Sequence, residues 1–323
     1  SDPLRSRVRG VDPLSVLRAP ATLVLMYHRV VEDARDPFQL TVTPGRFEDH
    51  LAVLADRAEV VPLAAVRAAA TGPRVAITFD DGYRDNLERA APALARLSMP
   101  ATVFVATRIF EDPRPFWWDA VEHLVLDAAP DAAEVLELDL DRRYRFDVRG
   151  SDARARSLQV LSRVLRPVSA TVRARALEDM EQQMGTQAGP CDCHALLDRN
   201  GVAELARAPG ISLGAHTVHH PRLSALDGPS QREELERSRR DLRSLGAEVR
   251  TAAYPFGGHD DWTRTSTRVA GDCGFDLTVT AIGGDVTPRT PRHRVPRHAV
   301  RNWDRSEFAS RLDRWFDGLE LTS

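Results

Sequence analysis

The chain has 323 residues, 42% apolar and 28% charged, with 44 basic against 47 acidic side chains and a formal net charge of −3. This reads as a soluble globular protein with room for one large domain or two small ones, and it argues against a dedicated nucleic-acid binder or a membrane-surface anchor. Every basic residue is Arg, so chemistries that need a lysine amine, from Schiff bases to P-loops, are excluded.

The Arg bias itself reads as the codon composition of a GC-rich genome. Three cysteines, Cys191, Cys193 and Cys273, make no disulfide framework, so a reducing, cytoplasmic location is expected. The longest apolar run, residues 21–26, is too short to span a membrane and lacks signal-peptide flanks. The chain opens on Ser-Asp-Pro rather than Met, which leaves room for a removed upstream segment.

No internal repeat is present. Short apolar runs alternate with amphipathic segments, the pattern of an α/β fold with a parallel sheet. A buried strand is predicted at 23–27, then a helix from Pro44 with Phe47, Leu51 and Leu54 at helical spacing. A strand at 75–79 runs into Asp80-Asp81-Gly82-Tyr83. A helix follows with Leu87, Ala90, Ala91 and Leu94 on one face, and 101–106 is a third strand. Between Pro113 and Pro209 the rhythm changes. Trp117 and Trp118 open a helix, and a hairpin (134–140 with 144–148) and three helical stretches follow. Residues 110–209 are expected to be a mostly helical insertion bordering the cleft of a single domain spanning 20–317, with 1–19 as an N-terminal extension. Strands recur at 211–215, 251–254, 277–281 and 293–300, with helices at 231–245, 261–270 and 305–316. About seven strands at this spacing suit an open doubly wound sheet or a distorted (β/α) barrel. The barrel is preferred, because residues capable of chemistry follow several different strands.

Adjacent carboxylates such as Asp80 and Asp81 need a cation or a shared proton between them, although Asp is also a preferred helix N-cap. His216 and His220, four apart after the 211–215 strand, would share one face of a helical turn and hold one metal ion, while His219 points elsewhere. The HxxxH spacing is common among ordinary histidines. It gains weight here because both motifs follow a strand directly, and in a barrel those places converge on one mouth. Two imidazoles and one carboxylate leave coordination positions open, as a catalytic divalent metal requires. Non-haem iron oxygenases use the same ligand set, typically as H-x-D on a β-sandwich. Here the carboxylate precedes paired histidines in an α/β pattern, so metal-assisted hydrolysis fits better.

Thr78-Phe-Asp-Asp-Gly-Tyr83 and His216-Thr-Val-His-His220 resemble the first two motifs of the polysaccharide deacetylase family, the NodB-homology carbohydrate esterases. Tyr254-Pro-Phe-Gly257 resembles the third, and Leu25-Met-Tyr-His-Arg-Val30 with Phe116-Trp-Trp-Asp119 look like the bacterial sugar-deacetylase branch. The similarity covers roughly 20–108 and 210–300. It implies a distorted (β/α) barrel that removes an N-acetyl group from an amino sugar, an oligosaccharide or a sugar-bearing metabolite. By the same resemblance Asp81, His216 and His220 would hold a divalent metal at about 2.0–2.2 Å, Zn²⁺ ahead of Co²⁺, Ni²⁺ or Mn²⁺. Asp80 would be the general base, and the backbone N–H around Phe256 would stabilise the oxyanion with the metal. Trp118, Tyr254, Phe256 and Arg297 are expected to touch substrate, though Trp117 and Trp118 also read as core.

The chain departs from the family pattern in three places. Ala253 stands where the third motif often begins with Arg, no Trp-Asp pairing is visible in 277–285, and the closing Leu-His acid is absent in its usual form. An amine leaving group needs a proton, and His28, His293 and His298 are the candidates to give it, with a water as alternative. Arg297 and His298 face opposite sides of an extended strand, so at most one points into the mouth. A non-catalytic sugar binder of the same fold and an O-acetyl esterase are the rival readings. Cys191-x-Cys193-His194 resembles part of a metal clip, but without a fourth ligand nearby it reads as loop cysteines under a helix start.

Overall fold

The computed structural model describes residues 22–32, 35–112, 114–129, 132–187 and 194–319. The extension expected at 1–19, and Cys191 and Cys193, lie outside these residues. In chain order the principal elements are β1 (Thr22–Tyr27), β2 (Arg29–Val30), β3 (Thr41–Val42), α1 (Pro44–Arg57), β4 (Glu59–Val60), β5 (Arg74–Phe79), α2 (Ala91–Arg96), β6 (Ala101–Val105) and α3 (Trp117–Leu126). There follow β7 (Val135–Asp139), β8 (Arg143–Asp147), α4 (Gly150–Leu165), α5 (Ala170–Met184), α6 (Arg199–Leu205), β9 (Ile211–Ala215), α7 (Gly228–Arg243), β10 (Thr251–Ala253), α8 (Arg264–Asp272), β11 (Leu277–Val279), β12 (His298–Ala299) and α9 (Arg305–Phe316).

Strands buried at every position must lie inside a sheet covered on both faces, and β1, β5 and β6 are such strands. They occupy the middle of a parallel sheet of order β11-β10-β9-β6-β5-β1-β12, with β4 added beside β5. Leu25 lies level with Ile77, and Ile77 with Ala101. The sheet curls into the distorted (β/α) barrel that the strand spacing predicts. Helices with one apolar face cover it: α1 buries Phe47, Leu51 and Leu54, and α9 buries Phe308 and Leu312.

The last strand is shorter than expected. Only His298 and Ala299 of 293–300 join the β1 ladder, while Val295 makes an isolated parallel bridge to Val279. Pro296 has no N–H to give to a ladder, so this stretch passes from the β11 edge to the β1 edge instead of extending either. The helix expected after Tyr83 is also modified. It begins as a π-helical turn at Asn86–Ala90, because Pro92 cannot donate to the carbonyl of Glu88 as an α-helix would require. Residues 117–184 build their own apolar cluster, in which Val121 and Leu124 of α3 meet Leu136, Phe146, Leu161 and Met180. Among the described residues, no helix is long and apolar enough to cross a membrane.

Candidate active site

Parallel strands deliver their C-terminal ends to one side of the sheet, and the residues just beyond those ends meet there. Asp80 and Asp81 follow β5, His216 follows β9, Phe256 follows β10 and His28 follows β1. Beyond β5 the chain turns at once, with Asp81 at φ 77° and Gly82 at φ 89°. A Cβ on Gly82 would meet Val105 Cγ1 at 3.2 Å, so both the backbone angle and the space call for glycine. His216 keeps its ladder bond, its N–H donating to Val105 O at 3.1 Å. The next residues do not form the helical turn that the HxxxH spacing predicts. Thr217 and His220 take left-handed angles (φ 63° and 53°), and Thr217 Oγ1 accepts the His220 N–H at 3.1 Å. The loop still turns both imidazoles to the same carboxylate.

Asp81 Oδ1 lies 3.5 Å from Nε2 of His216 and 3.5 Å from Nε2 of His220. Among the described residues it accepts no hydrogen bond, although it is buried. His216 Nδ1 sits 3.0 Å from Ala253 O, which fixes the proton on Nδ1 and leaves the Nε2 lone pair facing Asp81. Donors on a tetrahedral ion with bonds of about 2.0 Å stand about 3.3 Å apart, so these three atoms fit around one cation. The electrostatics agree. Burial alone disfavours the His216 imidazolium, but Asp80 and Asp81 reverse this and raise its pKa, and the field that draws a proton there also draws a cation. Burial, then the neighbouring His216, push His220 down to about 3, so its imidazole is neutral and able to ligate.

Asp80 is held differently. Arg297 donates from Nη1 to Oδ1 and from Nη2 to Oδ2, each at 2.7 Å. The guanidinium is itself fixed by Nε on Thr280 O at 2.8 Å and Nη1 on Thr78 Oγ1 at 3.1 Å. Burial would raise the Asp80 carboxyl, but the Arg297 and His216 charges hold it well below the ordinary carboxylate range. Arg297 thus reaches Asp80 from the segment before β12. Around these groups opens a cleft of about 260 Å³. Phe38, Trp117, Trp118 and Phe256 give it aromatic walls, and Ser162 and Arg166 bring the α4 end of the chain to its rim.

The polysaccharide deacetylase family model matches residues 67–130 and 178–277, just over half of the chain. The chain belongs to the polysaccharide deacetylase family. Its fold is similar to that of the Streptococcus pyogenes deacetylase PplD, solved with acetate, at 18% identity over 91% of this chain and 98% of that one (TM-score 0.58). It is also similar to IcaB from Ammonifex degensii (17%, 91% and 98%, TM-score 0.57) and to the putative polysaccharide deacetylase BA0330 from Bacillus anthracis (16%, 90% and 69%, TM-score 0.55). None of the curated proteins compared with the chain matches it.

In this member of the family the remaining residues singled out from the sequence separate into two groups. Trp118 lines the cleft, its ring 4.9 Å from His220 and its Nε1 donating to Tyr83 Oη at 3.1 Å. The ring of Phe256 lies 4.7 Å from His220. His28, partly buried, also lines the cleft, and burial lowers its pKa against the opposing pull of Asp81 and Asp80. Tyr254, by contrast, stacks on Trp262 and donates its hydroxyl to His293 O at 3.1 Å, and Arg297 lies fully buried behind Asp80; neither lines the cleft. His293 pairs with Thr278 Oγ1 at 3.1 Å, and His298 stacks on Trp315 with ring centroids 4.4 Å apart. Of the three candidate acids, only His28 faces the cleft. Sequence reasoning did not find Arg166, whose guanidinium lies 4.4 Å from the Phe256 ring and pairs with Asp261. One signal was available: a cation just past the end of an amphipathic helix.

Proposed function

We propose that this deacetylase hydrolyses the N-acyl group, acetyl first of all, of an amino sugar or a sugar-bearing metabolite, with a divalent cation, Zn²⁺ by preference, held by Asp81, His216 and His220. The observation that carries this reading is the buried trio of donor atoms, with Asp81 Oδ1 3.5 Å from each imidazole nitrogen, beside an ionised Asp80. Bound there, the cation supplies Lewis acidity to the acyl carbonyl and lowers the pKa of an adjoining water towards about 7.

The protein's own groups do the rest. Asp80 takes a proton from the attacking water. Both its oxygens face Arg297, yet each keeps a second lone pair, and the fixed fork holds the carboxylate ionised and in place. Arg297 is therefore a positioning residue and not a substrate contact. The Phe256 N–H donates to the oxygen that becomes negative as water adds. His28 passes to the departing amine the proton that Asp80 took from the water, since an amine anion is a very poor leaving group. The aromatic faces of Trp117, Trp118 and Phe256 offer the sugar ring an apolar surface. Residues 20–317 would then form one catalytic domain, with 110–209 as the insertion that shapes the acceptor side.

Acetate release from N-acetylglucosamine and chitooligosaccharides, measured after chelation and again after Zn²⁺ is restored, tests the reading. Zinc-dependent release is expected. Binding of these sugars without release would support the non-catalytic alternative, and faster release from O-acetyl sugars would make the protein an esterase.

A further inference from the structure

A second set of metal-ligand side chains lies outside the cleft. Asp119 and Glu122, three apart on α3, share one face of the helix. That face points inward, and each residue is only 1% exposed. His194, also buried, meets them: Nδ1 lies 4.0 Å from Asp119 Oδ1 and Nε2 lies 3.8 Å from Glu122 Oε2. One donor atom from each of the three residues lies within 4.8 Å of the other two. Asp119 Oδ2 accepts the Tyr83 hydroxyl at 2.8 Å, whereas the fully buried Oδ1 faces the group and accepts no hydrogen bond among the described residues.

A buried cation also borders the group. The Arg29 guanidinium stands 3.9 Å from Asp119 Oδ1 and also reaches Asp36 Oδ1 at 3.3 Å. Its charge also acts on Glu122 and Asp85. The His194 nitrogens stand 3.8–4.0 Å from the two carboxylates. Such spacings are those of ligands arranged around a shared ion.

We propose that Asp119, Glu122 and His194 bind a second divalent cation, of the kind that accepts mixed nitrogen and oxygen donors such as Zn²⁺ or Mn²⁺. Its role is structural. His194 adjoins the segment tied to the Gly82 turn by Arg84 N–H on Ala195 O (2.8 Å) and Leu197 N–H on Gly82 O (3.0 Å). Asp119 holds Tyr83, and Tyr83 receives the indole N–H of Trp118. The cation joins α3 to the 194–197 segment and so braces the cleft wall behind Trp118. None of this depends on the chemistry assigned to the cleft.

Zinc per chain, measured by mass spectrometry after loading with Zn²⁺ and desalting, tests the proposal. Two ions are expected in the unaltered protein, one in the His216→Ala/His220→Ala variant, and one in Glu122→Gln/His194→Ala. The last variant should keep acetate-releasing activity while losing part of the zinc-dependent thermal stabilisation, the cleft ion supplying the remainder. A zinc content in Glu122→Gln/His194→Ala no lower than in the unaltered protein overturns the proposal. Should the latter variant fail to fold, calorimetric titration of Zn²⁺ into metal-free His216→Ala/His220→Ala decides: one site supports the proposal and none overturns it. A protein that holds two ions but releases no acetate would refute the proposed activity and leave this second site standing.

Discussion

Asp80 and Asp119 are both carboxylates with almost no contact with solvent, and each faces a buried arginine, yet they hold a proton with very different strength. Arg297 meets Asp80 with two 2.7 Å hydrogen bonds and holds its pKa well below the ordinary range. Arg29 comes only to 3.9 Å from Asp119, and burial pushes that carboxyl up to about 6 despite the charges of Arg29 and His194. A cation nearby does not by itself hold down the pKa of a buried carboxyl. What matters is whether the cation's donors fit it, because only a fitted fork replaces the hydration that burial removes.

The sharpest way to break this contrast lies at Asp81. Asp81→Ala or His216→Ala should abolish both zinc retention in the cleft and acetate release. Asp80→Asn should retain the ion and lose about 10²–10⁴-fold in kcat, since an amide oxygen cannot take up the water's proton. If Asp80→Asn also loses the ion, Asp80 is a ligand and the division of roles fails. His28→Ala should cost N-acetyl substrates up to a similar factor and activated aryl esters much less. Equal losses on both substrates would remove His28 as the acid.

Next in size is the fork itself. Arg297→Ala strands a buried charge, which typically costs about 3–5 kcal/mol, measurable by urea unfolding. Arg297→Lys should recover part of that stability but little of kcat, because an ammonium is not a planar two-pronged donor. Full recovery of kcat by lysine would show that charge alone is enough.

The smallest effect is expected at a third buried carboxylate, Asp85, which accepts from Val30 N at 2.9 Å and Asn86 Nδ2 at 2.8 Å and which burial pushes up to about 6. The folded state holds this proton more tightly than the unfolded chain does. Its stabilising contribution is therefore complete below about pH 4 and is lost as pH rises through 6, about 3 kcal/mol at most. Asp85→Asn should raise stability at pH 7.5 relative to the unaltered protein, with the gap closing near pH 4. A loss equal at both pH values would mean that ionisation of Asp85 is not the cause.

Local features of the molecule were legible from the chain. The strand at 211–215 and the helix at 305–316 fall on their predicted bounds, because short strand-like segments and 3.6-residue periodicity are local properties. The pairing of Asp80 with Arg297 was not legible, since the two residues are 217 positions apart and only the curl of the sheet joins them. The histidine spacing pointed to two residues that do meet at Asp81, though not through the helical turn expected. A helical turn and a loop with two left-handed residues both bring His216 and His220 to one carboxylate. In Asp119-x-x-Glu122 the signal was present as two acids on the otherwise apolar face of α3, but its partner, His194, comes from a distant segment.

Six described residues other than glycine have positive φ, and four of them, Asp81, Thr217, His220 and Phe256, surround the site. Each such angle costs an L-residue roughly 1–2 kcal/mol relative to glycine's freedom. The cleft is therefore the part of this molecule that folding alone would rewrite. Selection for thermal tolerance without selection for turnover should accumulate glycine or asparagine at these four positions first. A relative in which they had relaxed in this way would keep the barrel and lose its chemistry.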